Sequence, residues 1–361
     1  MKKIILTIGL FLALGVSAQE VVKTTANKFN GYGIVYSLPR TDIDIKVTAT
    51  RSVEKPGPFY KYAQKYLGTA PTVTKEATVW KIKEIKASAK GTPDPDKQYA
   101  IQLKAGNTSA FYLTPDGILS SINETPCCDA PKKDKKKSAH KAQKTHYTDA
   151  DFAQLYTEEM MLMGSTAKMA EAAAKQIYSI REYRLDLLTG NADAIPSEKS
   201  FEILLDEMAK REALLTALFM GTIESETIVK HIIYTPDVSP EKTTTNAVAF
   251  RFSERAGVVD TKDLSGEPIY ITLSVTETGN APTDSKGEAI SPAKGSLIYT
   301  IPGYADVKIT FKGQELFSHN IPLAQLGVDY GLLLSGKEIV KARFCPQTGA
   351  LINLSTELPT K

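Results

Sequence analysis

The chain has 361 residues, of which 44 are basic and 41 acidic, for a formal net charge of +3. This balance excludes the strongly basic surface that nucleic-acid-binding proteins use, so we expect no nucleic-acid partner. The length is sufficient for two or three domains that each have a core.

The first 18 residues have the pattern of a secretory signal peptide. Lys2 and Lys3 precede an apolar stretch at residues 4–16, and small residues just before Gln19 indicate a cleavage site. The apolar stretch is too short to span a membrane, and no cysteine follows the cleavage site to carry a lipid. We therefore expect a soluble exported protein, located in the periplasm or associated with the outer membrane. It should have no lipid anchor and no transmembrane segment in the mature chain.

Residues 19–125 are predicted to form an N-terminal β module. Residues 43–50 alternate between apolar and polar side chains, which is the period of a half-buried strand. Residues 59–67 predict one or two helical turns that end at Gly68. The Pro-Asp-Gly sequence at residues 115–117 predicts the turn of a β-hairpin.

Residues 126–147 contain seven lysines and few apolar residues, so they are predicted to form a Lys-rich linker. Like charges repel one another, which favours a solvated connection. A surface patch for anionic lipid headgroups or polysaccharide is the alternative.

Residues 148–222 are predicted to form a hairpin of two long helices. Apolar residues recur every three or four positions from Phe152 to Ile177, with alanines in the middle that allow a second helix to approach closely. A Thr-Gly-Asn sequence at residues 189–191 ends this helix, and a second one runs to Gly221.

Residues 223–361 return to strand patterns and are predicted to form a C-terminal β module. Residues 297–302 repeat the pattern of residues 34–39, in which the third residue is tyrosine and the sixth proline. Residues 306–310 repeat residues 44–48 in the same way. We therefore predict an α+β fold in which two related β-rich modules, produced by internal duplication, flank an inserted long antiparallel helical hairpin.

Three cysteines are present, at Cys127, Cys128 and Cys345. Because adjacent cysteines would close a strained ring, one of the two is predicted to pair with Cys345. Cys128 is the candidate for this disulfide, and free cysteines are the alternative. Neither the cysteines nor the four histidines have the spacing of a metal site, so no metal and no other cofactor is expected.

Ser165 and Lys168 match the Ser-x-x-Lys pattern of penicillin-binding enzymes. In those enzymes the serine opens a helix, whereas Ser165 is predicted to lie inside a long one. We therefore interpret the match as coincidental.

Arg181, Tyr183 and Arg184 interrupt the apolar face of the first predicted helix and are the candidate binding residues. The two arginines are three residues apart and share a helix face, where they could bind a carboxylate or a sugar acid. The alternative is an ion pair to the second helix, with Glu207 or Glu212, that fixes the packing of the helices.

Four segments resemble a family of exported proteins of unknown function found in Bacteroides-type bacteria. The segments are residues 33–39, 58–68, 181–190 and 324–327. The resemblance covers almost the whole mature chain and implies an envelope location. It implies no activity and no site residues.

No segment carries a recognisable catalytic arrangement, so we predict a non-enzymatic protein that binds envelope proteins or assembles into a complex with them. A carbohydrate-binding accessory protein is the first alternative, because Phe59, Tyr60, Tyr62 and Tyr66 lie close together and aromatic rings can stack on sugars. A hydrolase with an unrecognised site is the second.

Overall fold

The computed structural model describes residues 20–23, 33–102, 109–126, 147, 149–192, 197–239, 244–293, 295–334 and 338–358. The predicted signal peptide, and all but the two end residues of the predicted linker, lie outside the described residues. Strands predominate, since 51% of the chain is strand and 22% is helix.

The described residues form thirteen strands and five α-helices. The strands are β1 (Glu20–Lys23), β2 (Gly33–Lys55), β3 (Ala77–Gln102), β4 (Phe111–Leu113), β5 (Leu119–Ile122), β6 (Thr222–Tyr234), β7 (Thr244–Ser253), β8 (Gly257–Val259), β9 (Glu267–Glu277), β10 (Leu297–Phe311), β11 (Gln314–Leu332), β12 (Ile339–Phe344) and β13 (Leu351–Glu357). The helices are α1 (Ala63–Leu67), α2 (Asp149–Ala153), α3 (Glu158–Leu162), α4 (Thr166–Thr189) and α5 (Glu198–Met220), and a 3-10 turn at Tyr60–Tyr62 precedes α1.

Two antiparallel sheets enclose the largest described core. The first sheet has the strand order β1-β3-β2-β6, and the second has the order β11-β10-β9-β7-β8. On β2, the side chains of Ile43, Ile45 and Val47 are fully buried and pack with Ile271 of the second sheet. The strand predicted from the alternation at residues 43–50 is therefore confirmed.

A third sheet, of order β13-β12-β5-β4, covers a second core that contains Tyr36, Leu119 and Phe344. The predicted hairpin turn at residues 115–117 is confirmed, because it joins the antiparallel strands β4 and β5. Strand β5 also pairs with β12, and β2 pairs with β6. Two of the three described sheets therefore combine strands that were predicted to belong to different modules.

The predicted α+β fold, with a long helical hairpin between two β modules, is wrong. The chain is mostly β, and the segment predicted as one helix from residue 148 begins as the separate short helices α2 and α3. Helices α4 and α5 bury Ala170, Ile177 and Leu215 together with Phe59, which belongs to the segment after β2. Apolar periodicity indicated helices, but only the tertiary contacts determine what those helices pack against.

The helices meet the first sheet through direct backbone contact. A Cβ atom on Gly57 would overlap the carbonyl oxygen of Leu218, so glycine is required there for steric reasons. The backbone N–H of Phe59 donates to the same carbonyl oxygen over 2.9 Å. The end of β2 therefore fixes the position of α5.

Candidate functional site

Strand β3 has an open edge over most of its length. It pairs with β2 from Ala77 to Gln102, but with β1 only over residues 99–102. Strand β11 pairs with β10 alone among the described strands. Strands β3 and β11 lie close to each other. The edges of the two sheets therefore approach each other on this side of the main core.

A groove of about 520 Å³ lies on part of this side, and we call it the Trp80 groove. One wall is formed by residues 79–85 of β3. The other wall contains three apolar residues of the second sheet, Phe252, Phe311 and Leu316. Because seven consecutive residues of β3 line the groove, it exposes the edge of the strand as well as the side chains that face the core.

Trp80 lies near one end of the β3 wall and is held by two contacts. Its indole ring packs so closely on Gly257 that a Cβ atom there would lie 2.8 Å from the ring. Its backbone N–H donates to the carbonyl oxygen of Glu254 over 2.7 Å. That N–H points away from β2 but is already occupied by Glu254, so an incoming strand would have to pair with the outward backbone groups of β3 beyond it. Trp80 and Ile82 also pack on the edge of the main core.

Basic side chains lie on the β3 side of the groove. Lys81 and Lys83 are exposed and line the groove, and the ion pairs of the described residues do not include either of them. Lys86 does pair, with Glu84 over 2.9 Å. On the opposite side, Lys312 pairs with Glu254 over 3.3 Å. The groove therefore combines an apolar floor with a rim of mixed charge. Among the described residues, the two lysines there have no ion pair, whereas the acids Glu84 and Glu254 are each paired with another lysine.

The predicted binding residues Arg181 and Arg184 lie close together, and both form ion pairs with an acidic residue of the same chain. Arg181 Nε lies 2.6 Å from one oxygen of Glu212, and Arg184 Nη1 lies 2.8 Å from the other. The ion pair that the sequence offered as the alternative is therefore present. The side chain of Tyr183 is 48% exposed. Binding of an external carboxylate by these residues stays a prediction.

Of the residues in the predicted disulfide, the structure describes only Cys345, because Cys127 and Cys128 lie outside the described residues. Cys345 is half-buried, and no disulfide joins it to another described residue. The Sγ–H group donates to Oε1 of Gln347 over 3.0 Å. The bridge to Cys128 stays a prediction.

Ser165 is not inside a helix, so that prediction is wrong. It is the N-cap of α4, and its hydroxyl accepts the backbone N–H of Lys168 over 3.3 Å. This hydrogen bond satisfies one of the N–H groups left open at a helix start, which explains a serine at this position.

Three of the four clustered aromatic residues belong to the helical core. Phe59 is fully buried, and Tyr62 and Tyr66 pack against the same core with their rings tilted by 39°. They therefore form no coplanar platform of the kind that stacks on a sugar.

A second groove, of about 670 Å³, lies on the helices. Its walls carry charges of both signs, and two of these, Glu171 and Lys175, pair over 2.9 Å. Within the described ranges, no group of three or more His, Cys, Asp or Glu side chains could hold a metal ion. The helices in these ranges do not combine the length and apolar character that a bilayer span requires.

The Trp80 groove is not among the sites predicted from the sequence. The available signal was the alternation of Trp80 and Ile82 with Lys81 and Lys83, around the single tryptophan of the chain. This pattern predicts a strand, but it does not show that the strand lies at an open edge.

The sequence model of one protein family, described as a domain of unknown function (DUF4831), matches residues 32–352. No curated protein matches the chain, and no solved structure matches it. The expected resemblance to a family of unknown function is confirmed, whereas export and the bacterial range stay predictions. Because the match covers nearly all the described strands and helices, the chain belongs to the DUF4831 family.

Proposed function

We propose that this protein is an exported interaction or assembly component that binds an extended segment of an envelope protein in the Trp80 groove. The observation that carries the proposal is the open edge of β3 beside an apolar floor. A strand edge presents backbone donors and acceptors to an incoming strand, and pockets for alternate side chains give selectivity.

The side chains of the groove indicate the chemistry of the segment. Strand residues alternate between two faces, so every second residue of a bound strand would face Trp80 and Ile82 and should be apolar. The residues between them would lie beside Lys81 and Lys83, where acidic side chains are favoured. We therefore expect a segment of about six residues in which apolar and acidic residues alternate.

The fluorescence of Trp80 gives a direct binding assay, because this residue is the only tryptophan in the chain. Three synthetic six-residue peptides serve as probes: one alternates valine with glutamate, one alternates valine with lysine, and one is the glutamate peptide with a central proline. The glutamate peptide should shift the emission in a saturable way. The other two should bind at least about tenfold more weakly, a difference of about 1.4 kcal/mol.

The double substitution Lys81→Glu and Lys83→Glu should reverse the preference in favour of the lysine peptide. Lys262→Glu is the matched control, since this lysine is exposed and does not line the groove. If none of the peptides binds, or if charge and proline have no effect, strand addition at β3 is wrong. Export is tested separately, by finding a mature N-terminus at Gln19 in the periplasmic or outer-membrane fraction.

A further inference from the structure

Strand β6 forms the opposite edge of the first sheet from the Trp80 groove. It has 13 residues and pairs with β2 along its full length without a register shift. No other described strand pairs with it. Long edges of this kind usually carry lysines, prolines or bulges that prevent further pairing. Strand β6 carries one lysine but no proline and no bulge, and its exposed side chains include Ile223, Val229 and Ile233.

The direction of the β6 backbone groups follows from the hydrogen bond of Trp80. Since the N–H of Trp80 points away from β2, Trp80 and its partner Arg51 do not share backbone hydrogen bonds. The backbone groups of Arg51 therefore point toward its other partner, Glu226 of β6. Glu226 and the even-numbered residues of β6 bond to β2, and the odd-numbered residues from 223 to 233 direct their N–H and C=O groups outward.

The charges of β6 are arranged so that the strand complements itself. The acids Glu224 and Glu226 lie in its first half, and the bases Lys230 and His231 lie in its second half. A second copy of the strand running antiparallel would bring the acidic half of one copy beside the basic half of the other. A parallel copy would bring like charges together, which is unfavourable.

Full overlap of two antiparallel copies fixes one register, with the two-fold axis at Ile228, the central residue of the strand. In this register Glu226 of each copy, which also pairs with Arg51 of its own β2 over 2.9 Å, lies opposite Lys230 of the other. Lys230 donates to the carbonyl oxygen of Val258 in its own chain, so the contact between copies would add to interactions already present. Ile223, which is 47% exposed, lies opposite Ile233, which is 45% exposed. Both pairs occur twice because of the symmetry, so charge and apolar character match at four places along the edge.

We infer that β6 pairs antiparallel with β6 of a second copy of this chain, about a two-fold axis at Ile228. The two four-stranded sheets then form one continuous eight-stranded sheet. Such an isologous contact places the same residues on both sides and closes the assembly at two copies. It leaves the open edge of β3 accessible at both ends of the joined sheet.

Charge reversal tests this register through sedimentation equilibrium of the full mature chain. The wild type should form dimers, and both Glu226→Lys and Lys230→Glu should weaken self-association at least about tenfold, because each places like charges opposite each other twice. An equimolar mixture of the two variants should form dimers again, since the lysine introduced at position 226 of one variant then faces the glutamate introduced at position 230 of the other. Restored association in the mixture also shows that both variants are folded.

A cysteine at the axis provides a second measurement. Ile228→Cys should form a disulfide between copies on mild oxidation, detected by mass spectrometry as a peptide linked through position 228 to itself. Ile232→Cys is the matched control on the same strand and should not link to itself, because its two copies would be far apart. A monomeric wild type, a mixture that does not dimerise, or equal linking at 228 and 232 would overturn the inference. None of these outcomes bears on peptide binding at the Trp80 groove.

Discussion

The hydroxyl group of Tyr36 forms two hydrogen bonds with the backbone of Ile298, a residue 262 positions away in the chain. It donates to the carbonyl oxygen of Ile298 over 3.0 Å and accepts from its N–H over 2.9 Å. The hydroxyl group thereby provides a hydrogen-bond partner for both backbone groups of Ile298, as a paired strand would. This contact joins β2 of the first sheet to β10 of the second, and the ring of Tyr36 stacks on Tyr99.

Tyr36→Phe should destabilise the protein, because it keeps the ring but leaves both backbone groups of Ile298 without their partner. We expect the free energy of unfolding to fall by about 1–3 kcal/mol. Urea denaturation measures this change. Tyr112→Phe is the control, since this tyrosine is 43% exposed and its substitution should have little effect. Equal stability of the two variants would show that the Tyr36 hydroxyl does not stabilise the contact between β2 and β10.

Stability should decrease at alkaline pH because of Tyr36 and Tyr99. Burial raises the pKa of Tyr36 far above its ordinary value of 10.0, and raises the pKa of Tyr99 to about 12 with a smaller contribution from Asp329. Above pH 10 the unfolded chain releases these protons while the folded state keeps them. The stabilisation is therefore complete below pH 10 and is lost as the pH rises toward 12, by about 1.4 kcal/mol per pH unit for each tyrosine.

The measurement is the free energy of unfolding in urea at several pH values between 9 and 11.5. The decrease in the free energy of unfolding per pH unit should be smaller in Tyr36→Phe than in the wild type. Lysines also titrate in this range, but their contribution is the same in both proteins and cancels in the comparison. Identical slopes in the two proteins would contradict the assignment to Tyr36.

Gly91→Ala should be destabilising, although alanine is usually better tolerated in a strand than glycine. A Cβ atom on Gly91 would overlap the backbone carbonyl oxygen of Pro346, in the turn between β12 and β13. Backbone cannot move aside cheaply, so we expect a loss of about 1–3 kcal/mol in thermal or urea unfolding. Gly164→Ala is the control, because a Cβ atom there meets no atom within 4 Å. A neutral Gly91→Ala would show that the turn is not packed against β3.

Glu212→Gln should weaken the packing of α4 on α5, since its carboxylate binds both Arg181 and Arg184. The side chain of Glu212 is only 15% exposed, and we expect a loss of about 1–2 kcal/mol. Glu207→Gln is the control because Glu207 is 64% exposed and pairs with Lys210 on its own helix.

A double-mutant cycle with Arg181→Ala separates the structural role of these residues from binding. The combined variant should be less destabilised than the sum of the two single variants, because both remove the same contact. If Arg181→Ala left the melting temperature unchanged but abolished binding to an envelope component, the predicted binding role of Arg181, Tyr183 and Arg184 would replace the structural one.

The two copies of the repeated pattern lie on two long strands, β2 and β10, which belong to different sheets. Both strands have a register shift beside the proline of the repeat, between Ser37 and Pro39 in β2 and between Ile301 and Gly303 in β10. Internal duplication stays a prediction. The pairing of β2 with β6, and of β5 with β12, could not be predicted, because hydrogen bonding between strands depends on which edges meet in space and leaves no period in the sequence.

The sequence by itself determined where the chain forms strands and short turns, because alternation of apolar and polar residues and glycine-containing turns are local properties. The opposite charges of the two halves of β6, and the alternation of Trp80 and Ile82 with lysines, are also visible in the sequence. Only the tertiary structure decided that β3 and β6 are the open edges of the first sheet, and that Trp80 faces Phe311 and Leu316 across a groove. These features arise from the packing of two sheets whose strands lie far apart in the chain, and such packing depends on the shape and total volume of the core rather than on any local pattern.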